Sequence, residues 1–153
     1  MAMLAILGTI SVGCGGGDDE GSGVATTVAA SSITKAQFVK KANAICQKGK
    51  AQLAGGLAAF VKLHEKEPVE DTAVIAAKTI LRPNLQAQVD QIRTLGAPRD
   101  DVAEIEAFSV ALLNGIDQIV IKESSTTQES MQLLRPAGNV ALKYGIDQCA
   151  YGY

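Results

Sequence analysis

"TKAQFVKKANAICQKGKAQLAGGLAAFVKLH", Thr34 to His64, is the stretch that decides the fold. Phe38, Ala42, Ile45, Gly49, Leu53, Leu57, Phe60 and His64 recur in it at steps of three and four, the spacing that aligns side chains along one face of an α-helix. Thr34 followed by Gln37 reads as a capping box, in which hydroxyl and amide satisfy two backbone donors at the helix start. Gly55 and Gly56 weaken a helix by ~1 kcal/mol each relative to Ala, so they mark a close crossing or a bend. Pro68 bounds this first helix.

The same reading extends downstream. Asp71 or Thr72 is placed to cap a second helix whose face is Val74, Ile75, Leu81, Leu85, Val89, Ile92 and Leu95. Pro83 removes a backbone donor within it and predicts a kink; Gly96 followed by Pro98 ends it. Asp100 and Asp101 start a third helix with negative charge at the positive end of its dipole, facing inward through Val102, Ile105, Phe108, Leu112, Ile116 and Ile119. After the polar break "ESSTTQES", Thr126 with Glu129 is a second capping box. It opens a fourth helix with Met131, Leu134, Gly138, Ala141 and Leu142 inward and Gly145 as its terminator. Four helices with short connections predict an all-α, antiparallel four-helix bundle of up-down-up-down order.

Composition agrees with helices. The 153 residues are 47% hydrophobic but only 4% aromatic, with no Trp, so Ala, Leu, Ile and Val must fill the interior. The formal charge of −2 is unevenly spread, because Asp18, Asp19 and Glu20 sit together near the start and the remainder is close to neutral. That balance carries no electrostatic footprint for nucleic acid, and no aromatic residues interleave with basic ones as a stacking platform requires.

Upstream of the helices, "MAMLAILGTISV" is an uncharged apolar run, too short for the ~20 residues of a spanning helix and suited to the core of a signal peptide. It leads into "SVGCGGGDDEGSG", Ser11 to Gly23. Ser11, Val12, Gly13 and Cys14 resemble the lipobox of bacterial lipoproteins, where a small residue precedes a cysteine that receives a diacylglyceryl group. Ser11 replaces the usual Leu, and no Lys or Arg precedes Lys35. The resemblance implies a lipoprotein lipidated at Cys14 and held on the outer side of the cytoplasmic membrane. The segment from Gly15 to Ser32 is Gly, Ser, Ala, Thr and acid, too poor in large apolar groups to offset its ordering entropy. The expected organisation is a signal peptide over 1–13, a lipidated flexible tether over 14–32 and a bundle domain over 33–153.

Three cysteines then resolve into one acylated and two paired. In an up-down-up-down bundle the start of the first helix lies beside the end of the fourth, which brings Cys46 near Cys149. A disulfide there suits an oxidising compartment. "ANAIC" (Ala42 to Cys46) with "YGIDQC" (Tyr144 to Cys149) is also similar to small exported helical lipoproteins of high-GC Gram-positive bacteria, a resemblance that implies an address and a staple and no activity.

Reactive constellations are sparse. The chain has one His and no HExxH, CxxC, GxSxG or phosphate-binding loop. The expectation is therefore a non-enzymatic protein without a cofactor, which binds an envelope partner or a small apolar ligand. Asp100 with Asp101 and Glu104 with Glu106 read as caps and solvated charge. The competing reading is a haem or metal carrier: His64 and Met131 fall at the same level of an antiparallel bundle, each equally far along its helix from the staple, and could face each other as axial ligands. A dispersed enzyme site is a third reading. Lys35, Lys40, Lys41, Lys48 and Lys50 point around the first helix as solubilising charge, with anionic headgroups or wall polymers as the functional alternative. Tyr144, Tyr151 and Tyr153 are expected to pack over the staple.

Overall fold

A computed structural model describes residues 27–122 and 127–153. Its architecture is helical, with four helices and a minimal pair of strands. Helix α1 spans Lys35–Leu63, and its start is the capping box read from the sequence: Gln37 N–H donates to the Thr34 hydroxyl and Thr34 N–H to the Gln37 side chain. Phe38, Ala42, Cys46 and Gly49 are its buried residues. Beyond Gly49 the same stripe is only half-buried through Leu53, Leu57 and Phe60.

Helix α2 occupies 69–95 as an α-helical stretch Val69–Ala76, a π-helical turn Ala77–Leu81 and a second α-helical stretch Arg82–Leu95. It begins at Val69, behind Pro68, and not at a cap on Asp71 or Thr72; the Thr72 hydroxyl donates back to the Val69 carbonyl from inside the first turn. The helix passes through Pro83 without a break. A wide turn lies directly upstream, closed by Arg82 N–H donating to Ala77 O, where the proline leaves a carbonyl without its donor. A π turn takes up an extra residue and shifts the phase of everything before it. Ile75, expected inward, is therefore exposed, while Ala77 faces the core.

Gly96, with φ 65°, ends α2. Ala97–Pro98 then forms strand β2, paired in parallel with strand β1, Ala30–Ser31. The Gly96 position requires glycine twice over, since its φ is left-handed and a Cβ there would stand 2.7 Å from Ser31 Cβ. Packing thus begins upstream of the boundary drawn at residue 33, because Val28 is buried and Ala97 N–H donates to Ala29 O at 2.9 Å.

Helix α3, Val102–Ile121, buries Ile105, Phe108, Leu112, Ile116 and Ile119 as its period predicts, together with Ser109 and Gly115. Helix α4, Thr127–Tyr144, contains Pro136 and turns Leu134, Ala137, Gly138 and Ala141 inward. Met131 and Leu142, expected inward, are exposed. Thr126, the predicted cap of this helix, lies outside the described residues.

Past Gly145, with φ 96°, the chain turns through a 3₁₀ segment, Asp147–Cys149, and doubles back along α4. Gly138 lies under the Tyr151 carbonyl and the Tyr153 ring, and Gly152 lies against the Met131 carbonyl. This return brings Cys149 to Cys46, with Cα atoms 5.1 Å apart, in a disulfide spanning 103 residues. The predicted pair is therefore present, but it joins the C-terminal segment to the body of α1, three turns in, rather than to its start. The reversal after α4 is the reason, because it carries Cys149 back along α1 instead of leaving it beyond the helix end.

Candidate functional site

Functional groups gather where β1, the start of α1, the end of α2, the start of α3 and the end of α4 meet. Tyr144 is the centre of this cluster. Its hydroxyl donates to Asp101 Oδ2 at 2.6 Å, its ring meets Phe38 edge-on at 5.9 Å, and Lys35 Nζ lies over that ring 4.1 Å from its centroid. Lys35 also approaches Asp101 at 3.8 Å. Burial pushes the Tyr144 pKa upward, and the Asp101 and Glu104 carboxylates add to the shift. Near neutral pH the phenol is a fixed donor and not a base or nucleophile.

Asp101 was expected to cap α3, yet its carboxylate makes no cap bond and serves Tyr144 and Lys35 instead. Beside this cluster runs a groove of about 320 Å³ lined by Lys35, Glu104, Ala107, Val140, Lys143 and Tyr144. Its walls are mostly carbon, with charge of both signs at the rim. Walls of this kind suit a small apolar or amphipathic guest.

A second cluster holds the N-terminal segment down. Glu106 accepts from Arg93 at 2.9 Å through one carboxylate oxygen and from Val28 N–H at 3.1 Å through the other. Arg93 is nine-tenths buried, and its Nε has no hydrogen-bond partner. Glu106 is thus a structural link rather than solvated charge, and neither Arg93 nor Glu106 was singled out from the sequence for this role.

A third network runs through the core behind the disulfide. Tyr151 donates to Gln88 Oε1 at 2.6 Å, Gln88 donates to Asn84 at 2.7 Å, and Asn84 donates to the Gly49 carbonyl at 3.1 Å. Gln88 sits three residues after Leu85 and four before Ile92, a polar residue at core spacing, which is the signal that could have exposed it. Lys50 donates to Ala150 O at 3.3 Å and lies 5.1 Å from the Tyr151 ring centroid; partial burial lowers its pKa. Of the first-helix lysines, Lys40, Lys41 and Lys48 are exposed, whereas Lys35 and Lys50 have these specific contacts.

His64 and Met131 are not brought together. His64 caps the end of α1, stacked on Phe60 at 4.2 Å, with Nδ1 3.0 Å from Glu67 but not aligned for a hydrogen bond. Met131 is exposed, and its carbonyl lies against Gly152, close to the level of Lys50 and Ala150. Fourteen helical residues separate Lys50 from His64, roughly 20 Å at the α-helical rise. The equal-level expectation counted Cys149 as a continuation of α4, and the reversal at Gly145 removes that premise. Among the described residues no three His, Cys, Asp or Glu side chains converge as a metal site, and no helix is long and apolar enough to cross a membrane. Cys14 lies outside the described residues. Compared with known protein families, curated proteins and solved structures, the chain matches none.

Proposed function

We propose that this chain is a lipid-tethered lipoprotein on the outer side of the cytoplasmic membrane, a non-enzymatic helical bundle that binds an envelope partner or a small apolar ligand. The observation that carries the reading is the buried Cys46–Cys149 disulfide. A bond of this kind belongs to an oxidising compartment, and it leaves Cys14, at the end of an apolar run, as the one cysteine free for acylation. The groove beside Tyr144 is the ligand site of this reading.

The helices are arranged up-down-up-down. Supporting this, partner numbers run in opposite directions along successive helices: Gly49 lies by Gln88 and Gly56 by Ile80; Arg93 pairs with Glu106 and Arg82 with Asp117; Tyr144 bonds Asp101 while Gly115 lies under Leu133. The N-terminal segment enters at the end where Lys35, Asp101 and Tyr144 meet. On this reading that end faces the bilayer, because Cys14 lies only 13 residues before residue 27, where the described chain begins.

Membrane fractionation with intact-mass measurement tests the proposal. The expected product starts at Cys14, carries a diacylglyceryl group and lacks two hydrogens, while Cys14→Ser moves the protein to the soluble fraction. An unmodified Cys14, or a Cys14→Ser protein that stays on the membrane, would overturn it.

A further inference from the structure

The groove beside Tyr144 is one end of a longer seam between α3 and α4. Ala107 and Val140 line that groove, and one turn away on each helix Ala111 and Pro136 line a hollow of about 390 Å³. Gln132 and Leu133 in its wall are shared with a third hollow, which reaches Lys122 and Glu129. The floor is closed where the two helices approach closely, a Cβ on Gly115 standing 2.7 Å from the Leu133 carbonyl oxygen. From Glu104 to Lys122 the seam follows eighteen residues of chain, roughly 27 Å at the α-helical rise.

Three exposed side-chain amides, Asn114, Gln118 and Gln132, line the middle of the seam. The amides of Asn43, Asn84, Gln88 and Asn139 are engaged in bonds within the fold, whereas these three have no hydrogen-bond partner among the described residues. Pro136, inside α4, has no N–H for the Gln132 carbonyl four residues back and leaves that carbonyl without its helical donor.

We infer that the seam is a binding site for an extended, uncharged polypeptide segment of a partner protein, held through its backbone by these amides. Complementarity of charge and of hydrogen bonding selects that occupant. The middle of the seam carries no charge, while Lys35, Glu104 and Lys143 stand at one end and Lys122 and Glu129 at the other. A primary amide offers a donor and an acceptor together, the same pair that each peptide unit presents. Asn114 and Gln118 are one turn apart, about 6 Å of helix rise, and an extended chain presents the same edge every second residue, about 6.6 Å. The seam is as long as about eight such residues. An acyl chain would bury the same amides without partners. A sugar chain, which stacks on aromatic faces, meets only the Tyr144 ring, already covered by Lys35. The inference rests on the binding role proposed above and names its partner, without requiring the lipid anchor.

An immobilised library of capped octapeptides free of Lys, Arg, Asp and Glu, beside a second library rich in them, tests the inference on the full-length protein. Uncharged peptides should be retained, and their binding should shift the side-chain amide protons of Asn114, Gln118 and Gln132 in NMR spectra. Gln118→Glu combined with Gln132→Glu keeps a good helix former at two exposed positions and replaces amide by carboxylate. Retention should then fall about tenfold, as for the loss of a hydrogen bond. No retention, retention confined to the charged library, or retention that the double variant leaves unchanged overturns the inference. So does binding of chitohexaose, an amide-bearing sugar chain, in place of peptides. A protein that takes up decanol beside Tyr144 but retains no peptide keeps the proposed ligand site and defeats this inference alone; an unacylated Cys14 with peptides held on the seam defeats the lipoprotein reading alone.

Discussion

The Tyr151 hydroxyl donates to Gln88 Oε1 at 2.6 Å in the interior, so that the C-terminal segment is held to α2 by a hydrogen bond as well as to α1 by a disulfide. Tyr151→Phe leaves the Gln88 oxygen buried without its donor, which costs about 1–2 kcal/mol. Urea denaturation should show a lower midpoint with an unchanged slope, as for a loss of stability without a change in the surface exposed on unfolding.

The same phenol makes stability sensitive to alkali. Burial holds the Tyr151 pKa up at about 12, against about 10 in an unfolded chain. The folded protein keeps a proton that the unfolded chain loses, so the contribution is complete below about pH 10 and disappears as pH rises toward 12. Tyr144 is shifted in the same direction. Denaturation midpoints should hold steady up to about pH 9 and then fall, and Tyr151→Phe should flatten that fall.

Closing a loop of 103 residues stabilises a fold by about 4–5 kcal/mol in the chain-entropy picture. Reduction should lower the melting temperature by about 15–20 °C. An unchanged melting curve under reducing conditions would contradict the bond.

Glycines separate by what faces them. A Cβ on Gly49 would overlap the Gln88 amide, whereas one on Gly55 would meet open space. Gly49→Ala is expected to cost about 1–3 kcal/mol through forced repacking. Gly55→Ala should raise stability by up to ~1 kcal/mol through helix propensity. Calorimetry on the two variants reads both signs.

Glu106→Gln removes the charged partner of buried Arg93 and weakens the acceptor of Val28 N–H. The N-terminal segment should loosen locally. Hydrogen exchange at the Ala97 amide, which donates to Ala29 O, should quicken while the amides of α3 stay protected.

Local rules made much of this fold legible. The Thr34–Gln37 box and the inward residues of α3 follow from chemistry contained within one or two turns; the Cys46–Cys149 pair was legible too, but not its place three turns into α1, which the reversal after Gly145 sets. What escaped depends on partners distant in sequence or on a change of winding. The π turn before Pro83 exposed Ile75, the reversal after Gly145 displaced Met131 from the level of His64, and the Arg93–Glu106 link drew Val28 into the body. Within the Tyr144 cluster, Lys35 and Asp101 were visible as charges, but their shared hold on one phenol required the tertiary structure.

Cys149 and Tyr151 follow all four helices in order of synthesis, yet they complete the packing between α1, α2 and α4. The helices cannot reach their final arrangement until that segment has emerged, so on the proposed lipoprotein reading the exported chain arrives with its middle already exposed and its keystone last. On that reading Cys46 must meanwhile avoid Cys14, the nearer cysteine in the chain. Early acylation of Cys14 would therefore do more than anchor the protein: it would remove the wrong partner before the right one appears.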